Sequence, residues 1–485
     1  MKLNWKIITS FLGMLLILNG TFMVLATLPG FIMGGGVQSM FLAGGGSIFL
    51  GVLLRLMSRG FDKNIGKREG YLIVSLGWLV MTLSGCLPYF LSGVIPSLPS
   101  AIFESVSGYT TTGASVLNDI EAAPHAILMW RSITHWIGGM GIIVLTVAIL
   151  PILGIGGMQL FTAEAPGVSA DKLHPRITGT AKRLWFIYVG ITVVEMFLLK
   201  IAGMTWFDAL NHAMSTVSTG GFSTKNASIA AYQSPLIQYI IIAFMFISGI
   251  NFSLVYWGIK GKLNKIWKNE EFRFYLIIVF VFTLICTAIV FFSTPSGVEK
   301  SFRDSLFQVV AFITTTGFVT ADLTNIQGAF ILKIIFFLLM FMGGSAGSTA
   351  GGIKMVRHLV IFKNSFLEFK RLLHPNAIIP VRYNGRAIKD KITHNIMAFL
   401  IMYFGIFAIG SLVMSLTGLD FETALSSAAT SLGNVGPGLG QVCPTCNFSG
   451  ISSFGKLFLS FLMLIGRLEI FTVLILFSPF FWRKS

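Results

Sequence analysis

Four short runs of small hydroxyl residues and glycine stand out in this 485-residue chain: TTTG at 110–113, VSTG at 217–220, TTTG at 314–317 and GNVG at 433–436. None carries an activated nucleophile or a group that titrates near neutrality. What they offer is oxygen. Backbone carbonyls lining a narrow tube replace the hydration shell of a potassium ion, and glycine permits the dihedrals that aim successive carbonyls inward. The residues that would line such a tube are Thr111, Thr112 and Gly113, then Ser218, Thr219 and Gly220, then Thr315, Thr316 and Gly317, and finally Asn434, Val435 and Gly436. The only metal expected is a monovalent cation, potassium, held at these residues as cargo; no tightly bound cofactor is called for.

One TTTG is ordinary loop composition. Here each run closes a moderately apolar stretch of about a dozen residues, too short to cross a bilayer: FESVSGYTTTGAS from 103, FDALNHAMSTVSTGGFST from 207, RDSLFQVVAFITTTGFVT from 303 and FETALSSAATSLGNVGPG from 421. Aligned on Gly113, Gly220, Gly317 and Gly436, the spacings are 107, 97 and 119 residues, one hairpin plus its connection. Each stretch lies between two long apolar runs, so it is expected to dip in as a half-helix and return extended. Non-helical backbone at membrane depth is tolerated where it is buried in protein or lines a watery cavity, so four such segments should converge on one axis. Their carboxyl ends, each worth about half a negative charge, would then face the ion. Asp208, Asp304 and Glu422 near the outer starts are read as capping the opposite, positive ends.

The surrounding composition fits a membrane solvent: 54% of residues are hydrophobic and 11% charged, the mean hydropathy is +0.80, and soluble domains carry about 25% charge. Ten apolar runs near the length of a crossing are expected, at about 7–28, 36–57, 71–95, 127–150, 183–203, 235–258, 274–294, 330–362, 392–417 and 455–481. The first is long, lacks a clear cleavage pattern and reads as a retained helix. The net charge of +16 is topogenic rather than a nucleic-acid footprint. Arg55, Arg59, Lys63, Lys67 and Arg68, then Lys172, Arg176, Lys182 and Arg183, then Lys260 to Arg273, fall in alternate loops, and the stretch from Lys354 to Lys391 holds nine more. Segments 96–126 and 418–452 hold none. By the positive-inside rule both termini are cytoplasmic. The fold class expected is an all-α polytopic membrane protein: an N-terminal hairpin (1–60) and four pseudo-symmetric helix, pore-loop, helix repeats around a central pore, at 70–150, 183–260, 272–362 and 392–482.

Two further features concern a gate. The run from 330 to 362 is too long for one simple span, and GGSAGSTAGG at 343–352 places five glycines in ten residues, each costing a helix about 0.8–1 kcal/mol relative to alanine. A broken helix and a close helix contact of the GxxxG kind are both open readings. Arg467, in the middle of the last apolar run, must face the bundle interior or a cavity, as a partner of Glu469 or of loop carbonyls, or as a latch beneath the filter. Glu195, Lys200, Arg131 and His135 read as packing or snorkelling residues, and His212 as a structural hydrogen-bonder. Cys443 and Cys446 form CPTC in an outer loop, where a local disulfide or an idle pair is expected rather than a redox site. With no HExxH or Walker A pattern, an enzyme is not expected, and any nucleotide control must come from a separate subunit.

The segments WRSITHWIGGMGIIV (130–144), STGGFST (218–224), TTTGF (314–318), GGSAGSTAGGIK (343–354), GNVGPG (433–438) and GRLEIFT (466–472), together with the four-fold repeat, resemble the Trk/Ktr/HKT superfamily of potassium transporters over nearly the whole chain. The extra N-terminal hairpin is similar to its TrkH branch. The resemblance implies potassium uptake across a bacterial inner membrane, with potassium selectivity from glycine at position 113, where sodium-preferring members have serine. It implies an intramembrane gating loop at 343–352, with Gly343, Gly344, Gly347, Gly351, Gly352, Lys354 and Arg467 as gating residues. It also implies a homodimer and a cytosolic nucleotide-binding, TrkA-like ring as partners. The alternative on the same fold is a sodium-permeable or ion-coupled symporter.

Overall fold

A computed structural model describes residues 3–58, 66–141, 177–323, 326 and 330–483. The described residues are mostly helical, with one two-stranded hairpin among them in which Arg382–Tyr383 pairs antiparallel with Arg386–Ala387. Among the described residues, six helices are long and apolar enough to cross a membrane: Trp5–Met33, Val37–Met57, Arg68–Leu91, Lys182–Ile201, Glu270–Ser293 and Asp390–Leu416. Their outward positions stay apolar and exposed, as at Phe49, Phe280 and Ile401, which is what a lipid solvent permits. The first two cross closely, because a Cβ at Gly13 would stand 2.6 Å from the Gly51 carbonyl oxygen.

Three of the ten runs are broken. Run 235–258 divides into Pro235–Ser248 and Phe252–Ile259, bent by 111°, and run 455–481 into Ser453–Arg467 and Ile470–Phe477, bent by 116°. In the first case Asn251 caps the new helix by accepting from Ser253 N at 2.8 Å; in the second Glu469 sits at φ +66°, which a continuing helix excludes. Run 330–362 divides into Phe330–Leu339 and Met355–Leu373, with 15 residues of largely irregular chain between them. Helix His125–Gly139 accounts for the start of run 127–150; residues 142–150, and the basic residues Arg59, Lys63, Lys172 and Arg176, lie outside the described residues.

Four short helices, Leu98–Tyr109, Trp206–Val217, Val298–Ile313 and Phe421–Gly433, occupy the centre, here called the first to fourth pore helices. Their last turns are buried although rich in hydroxyls: Ser105, Ser107, Ser215, Thr216, Ser426, Ser427, Thr430 and Ser431 are all fully covered. Some hydroxyls here bond back to the helix, as Thr110 Oγ1 does to Val106 O at 2.7 Å and Thr216 Oγ1 to His212 O at 2.7 Å, while Ser107 Oγ, Thr430 Oγ1 and Ser431 Oγ find no partner among the described residues.

Candidate functional site

Each pore helix ends the same way. Thr111, Thr219, Thr315 and Asn434 have φ between +52° and +55°, a left-handed conformation that is an outlier for β-branched threonine. Behind each, two backbone bonds form a Schellman closure. The amide of Thr112 donates to Ser107 O at 2.9 Å, that of Gly220 to Ser215 O at 2.8 Å, that of Thr316 to Ala311 O at 2.8 Å and that of Val435 to Thr430 O at 2.9 Å. Glycine is the usual residue at this position; threonine there costs of order 1–3 kcal/mol. Four repetitions of one strained geometry point to a shared requirement of the site rather than to four local accidents.

Two residues after each left-handed residue stands a glycine with positive φ: Gly113 (+80°), Gly221 (+82°), Gly317 (+73°) and Gly436 (+103°). This corrects the register of the second segment. Its counterpart of Gly113 is Gly221, not Gly220, so Thr219, Gly220 and Gly221 match Thr111, Thr112 and Gly113, and Ser218 falls back onto the helix end, bonding Met214 O at 2.7 Å. The correct register was signalled by the second glycine of STGG, which alignment on the first one passed over.

The four segments close into a ring. A Cβ at Gly113 would fall into the carbonyl oxygen of Gly220, one at Gly221 into that of Thr316, one at Gly317 into that of Val435, and one at Gly436 into that of Thr112. Each glycine therefore abuts the middle residue of the next segment, in the order first, second, third, fourth and back to first. Thr112, Gly220, Thr316 and Val435 are brought together about one axis, flanked by Thr111, Thr315 and Asn434, all fully buried. Asn434 Nδ2 ties the fourth segment to the first, donating to Thr112 Oγ1 at 3.0 Å and to Met463 O at 2.9 Å. The carboxyl ends of four helices meet at this ring and favour a cation there.

Residues 340–354 pass beneath the left-handed residues. Gly351 N donates to Thr315 Oγ1 at 2.7 Å, and a Cβ on Gly351 would meet Gly433 O at 2.7 Å and the Asn434 side chain at 2.9 Å. The segment folds on itself, with Gly343 N on Ile353 O at 2.9 Å and Met355 N on Gly344 O at 3.1 Å. Lys354 Nζ donates to Ala350 O. Gly347, at φ +77°, presents its carbonyl to Phe252 N at 3.0 Å, and Gly352 has φ +63°. Thr349 Oγ1 donates to Val217 O at 3.0 Å and to Ser248 O at 3.2 Å. Of the two readings left open for these glycines, the chain is broken here.

Arg467 reaches loop carbonyls: its guanidinium donates to Thr349 O at 2.8 Å, Gly138 O at 2.6 Å and Gly139 O at 3.1 Å. Glu469 is paired instead with Arg357 at 2.6 Å. One cation thus joins the end of helix His125–Gly139, the segment under the ring and the last broken helix.

Some supporting residues escaped the sequence reading. Glu104, buried in the first pore helix, accepts from Arg131 Nε at 2.9 Å, Ser115 Oγ at 3.0 Å and Val116 N at 2.8 Å. Arg131 also donates to Ser223 O at 3.1 Å and lies 4.0 Å over the Phe222 ring. The reading of Arg131 as a packing or snorkelling residue is therefore corrected: it clamps the outer ends of the first and second segments. An acid in the first pore stretch and a base in the apolar run that follows it were the available signal, since such charges pair. His135 stacks on Phe222 with centroids 4.0 Å apart and fills the space a side chain at Gly220 would need. His212 is a hydrogen-bonder, placed between Asp208 O at 2.8 Å and Ser223 Oγ at 2.9 Å.

The capping expectation divides. The second pore helix is capped by Thr205, whose Oγ1 accepts from Asp208 N at 3.0 Å and donates to the Asp208 carboxylate at 2.9 Å. The fourth pore helix is capped by Asp420, with Glu422 paired to Lys333 at 2.9 Å. Asp304 is not at a helix start, because the third pore helix begins earlier, at Val298. Cys443 and Cys446 form a local disulfide.

Comparison with known proteins follows from this geometry. A family model described as cation transport protein, TrkH, matches residues 37–484. The chain is 41% identical to the Trk system potassium uptake protein TrkH of Escherichia coli K12 over 492 aligned positions, covering 99% of this chain and 100% of that one. It is 40% identical to the TrkH protein of Halomonas elongata, with the same coverage. Among solved structures, the potassium transporter TrkH from Vibrio parahaemolyticus superposes with a TM-score of 0.89 at 36% identity, over 99% of this chain and 100% of that chain.

Proposed function

This chain belongs to the TrkH family of cation transport proteins, a non-enzymatic transporter family, and we propose from that premise that it takes up potassium through the four-segment ring. The observation that carries the reading is the closed succession of glycine against carbonyl, from Gly113 on Gly220 round to Gly436 on Thr112. Carbonyls of Thr111, Thr112, Thr219, Gly220, Thr315, Thr316, Asn434 and Val435 replace the ion's water, and four helix carboxyl ends offset its charge. In the relatives' names potassium is the transported ion. Gly113 supports the same choice, since serine there would need room that the Gly220 carbonyl occupies.

The four repeats, at 70–150, 183–260, 272–362 and 392–482, act as quarters of one pore behind the hairpin of residues 1–60. The segment 343–352 is the gate: it stands under Thr315 and Asn434 and is held by Arg467. With its termini in the cytoplasm, the chain presents the basic stretch from Lys354 to Lys391 to a cytosolic nucleotide-binding ring of the TrkA kind, and two copies pair as a homodimer. An inside-negative potential contributes about 2.3 kcal/mol per charge per 100 mV, which drives uptake with no energy source in the chain itself.

The test is rubidium uptake into proteoliposomes of the purified chain, with competition by potassium and sodium, repeated for Gly113→Ser. Potassium should block and sodium should not, with the preference weakened in the variant. Equal competition by both ions in the unaltered protein would overturn potassium selectivity. A second reading, ion-coupled symport, is favoured by Glu195, a fully buried acid with no cation in ion-pair distance among the described residues. Uptake that requires a sodium or proton gradient, and loses that requirement in Glu195→Gln, would select it.

A further inference from the structure

Away from the ring, between the first pore helix and helix Ser453–Arg467, lies a cavity of about 450 Å³ that the transport reading does not use. Its polar lining includes Ser97, Ser100, Asn118, Asp119 and Lys456. Lys456 is buried, with 7% of its surface exposed, and its ammonium donates to Ser449 O at 2.9 Å and to Ser100 Oγ at 3.2 Å. Both acceptors are neutral. Among the described residues no carboxylate lies within ion-pair distance of it, although a buried cation is normally paired. An ammonium has three donors, so one remains for a ligand.

The rest of the polar lining holds a single carboxylate, Asp119. The first pore helix starts at Leu98 beside this cavity, and Ser97 at its N-cap makes no side-chain cap bond, which leaves its hydroxyl to a ligand at the positive end of the helix; Pro99 in the first turn has no amide to offer. The one acid in the lining is engaged elsewhere: Asp119 accepts from Asn226 Nδ2 at 3.0 Å, from Glu121 N at 3.1 Å and from Ala122 N at 3.2 Å. Beside the cavity, Leu98 and Phe454 are 50% and 62% exposed at the starts of the two helices. A hydroxyl-lined pocket with a buried ammonium in its wall and its one acid exposed and held by amides, next to exposed apolar side chains, fits a ligand with an anionic head and apolar tails.

We propose that this cavity is a binding site for the phosphate of an anionic phospholipid, with Lys456, Ser97 and Ser100 as its donors. The acyl chains lie outside against Leu98 and Phe454. Occupancy ties the first pore helix to the helix that carries Arg467, so the site couples lipid composition to the stability of the first and fourth quarters of the pore. This holds whether or not the ring selects potassium.

The test uses the full chain purified in neutral detergent, with thermal unfolding followed as phosphatidylglycerol, phosphatidylcholine or inorganic phosphate is added. Phosphatidylglycerol should bind about fivefold more tightly than phosphatidylcholine, the factor expected of one lysine near an anionic headgroup, and Lys456→Gln should abolish that preference. Ala122 is an exposed residue of the lining, so Ala122→Trp fills the cavity without disturbing Lys456 and should abolish the preference too; it decides the matter if Lys456→Gln fails to fold. A preference that survives in Ala122→Trp overturns the proposal. Inorganic phosphate that stabilises the unaltered chain but not Ala122→Trp, with no difference between the two lipids, overturns the lipid as the source and leaves a free anion site.

Discussion

Arg467 donates a 2.8 Å hydrogen bond to the carbonyl of Thr349, and the two residues stand 118 positions apart in the chain. The same guanidinium holds Gly138 and Gly139 at 2.6 and 3.1 Å. A segment of small residues has few apolar contacts to fix it, so its position depends on bonds of this kind. A hydrogen bond to a charged group contributes about 1.5–3 kcal/mol. Arg467→Gln should therefore shift the loop toward its displaced position by about tenfold or more, and raise rubidium uptake measured without any cytosolic partner. Removing several residues of 343–352 should do the same. Unchanged uptake in both, from protein that still favours potassium, would remove the gating role.

Glu104 and Arg131 form a buried pair, and breaking one by truncation leaves the other charge uncompensated. Such losses are worth about 3–5 kcal/mol. Glu104→Ala and Arg131→Ala should each lower the thermal midpoint in detergent sharply and abolish uptake, because Ser115, Val116 and Ser223 lose their partners as well. The double variant should cost less than the sum of the two; strict additivity would show that the pair does not act as a unit.

The register of the second segment makes a separate prediction. Gly221→Ala meets both a φ of +82° and the Thr316 carbonyl, and should weaken the preference for potassium, as is expected of Gly113→Ser. Gly220→Ala meets only the His135 ring, so pairing it with His135→Ala should restore part of the flux. Restoration of Gly221→Ala by His135→Ala would contradict this register.

Asp119 links the outer loops of the first and second repeats. The Asn226 side-chain amide first, and the Ala122 amide after it, hold its carboxyl below the usual carboxylate range. A carboxyl depressed in the folded state adds stability that is present above its unfolded pKa and is lost as pH falls through the folded one. The link should thus persist through mild acid. Carbon-13 titration of the labelled carboxyl should give a midpoint below that of a free aspartate, and Asn226→Ala should move it upward; no movement would locate the effect elsewhere.

Sequence alone determined the class of this protein. Apolar runs of crossing length, basic residues in alternate loops and four TTTG-like ends in the spaces between runs follow from membrane solvation, which acts on composition and is therefore written along the chain. The family was legible in the motifs from 130–144 to 466–472. Tertiary structure decided what depends on contact across the molecule. Whether run 330–362 packs or breaks could not be read from its glycines, because both outcomes use small residues; the bonds of Gly351 to Thr315 and of Arg467 to Thr349 settle it. The one-residue shift from Gly220 to Gly221 was hidden for a similar reason: two adjacent glycines look alike in sequence, and only the neighbouring carbonyl of Thr316 and the ring of His135 tell them apart. Glu104 and Arg131 are 27 residues apart, and charge pairing inside a bilayer is set by which helix faces meet, which local pattern does not encode.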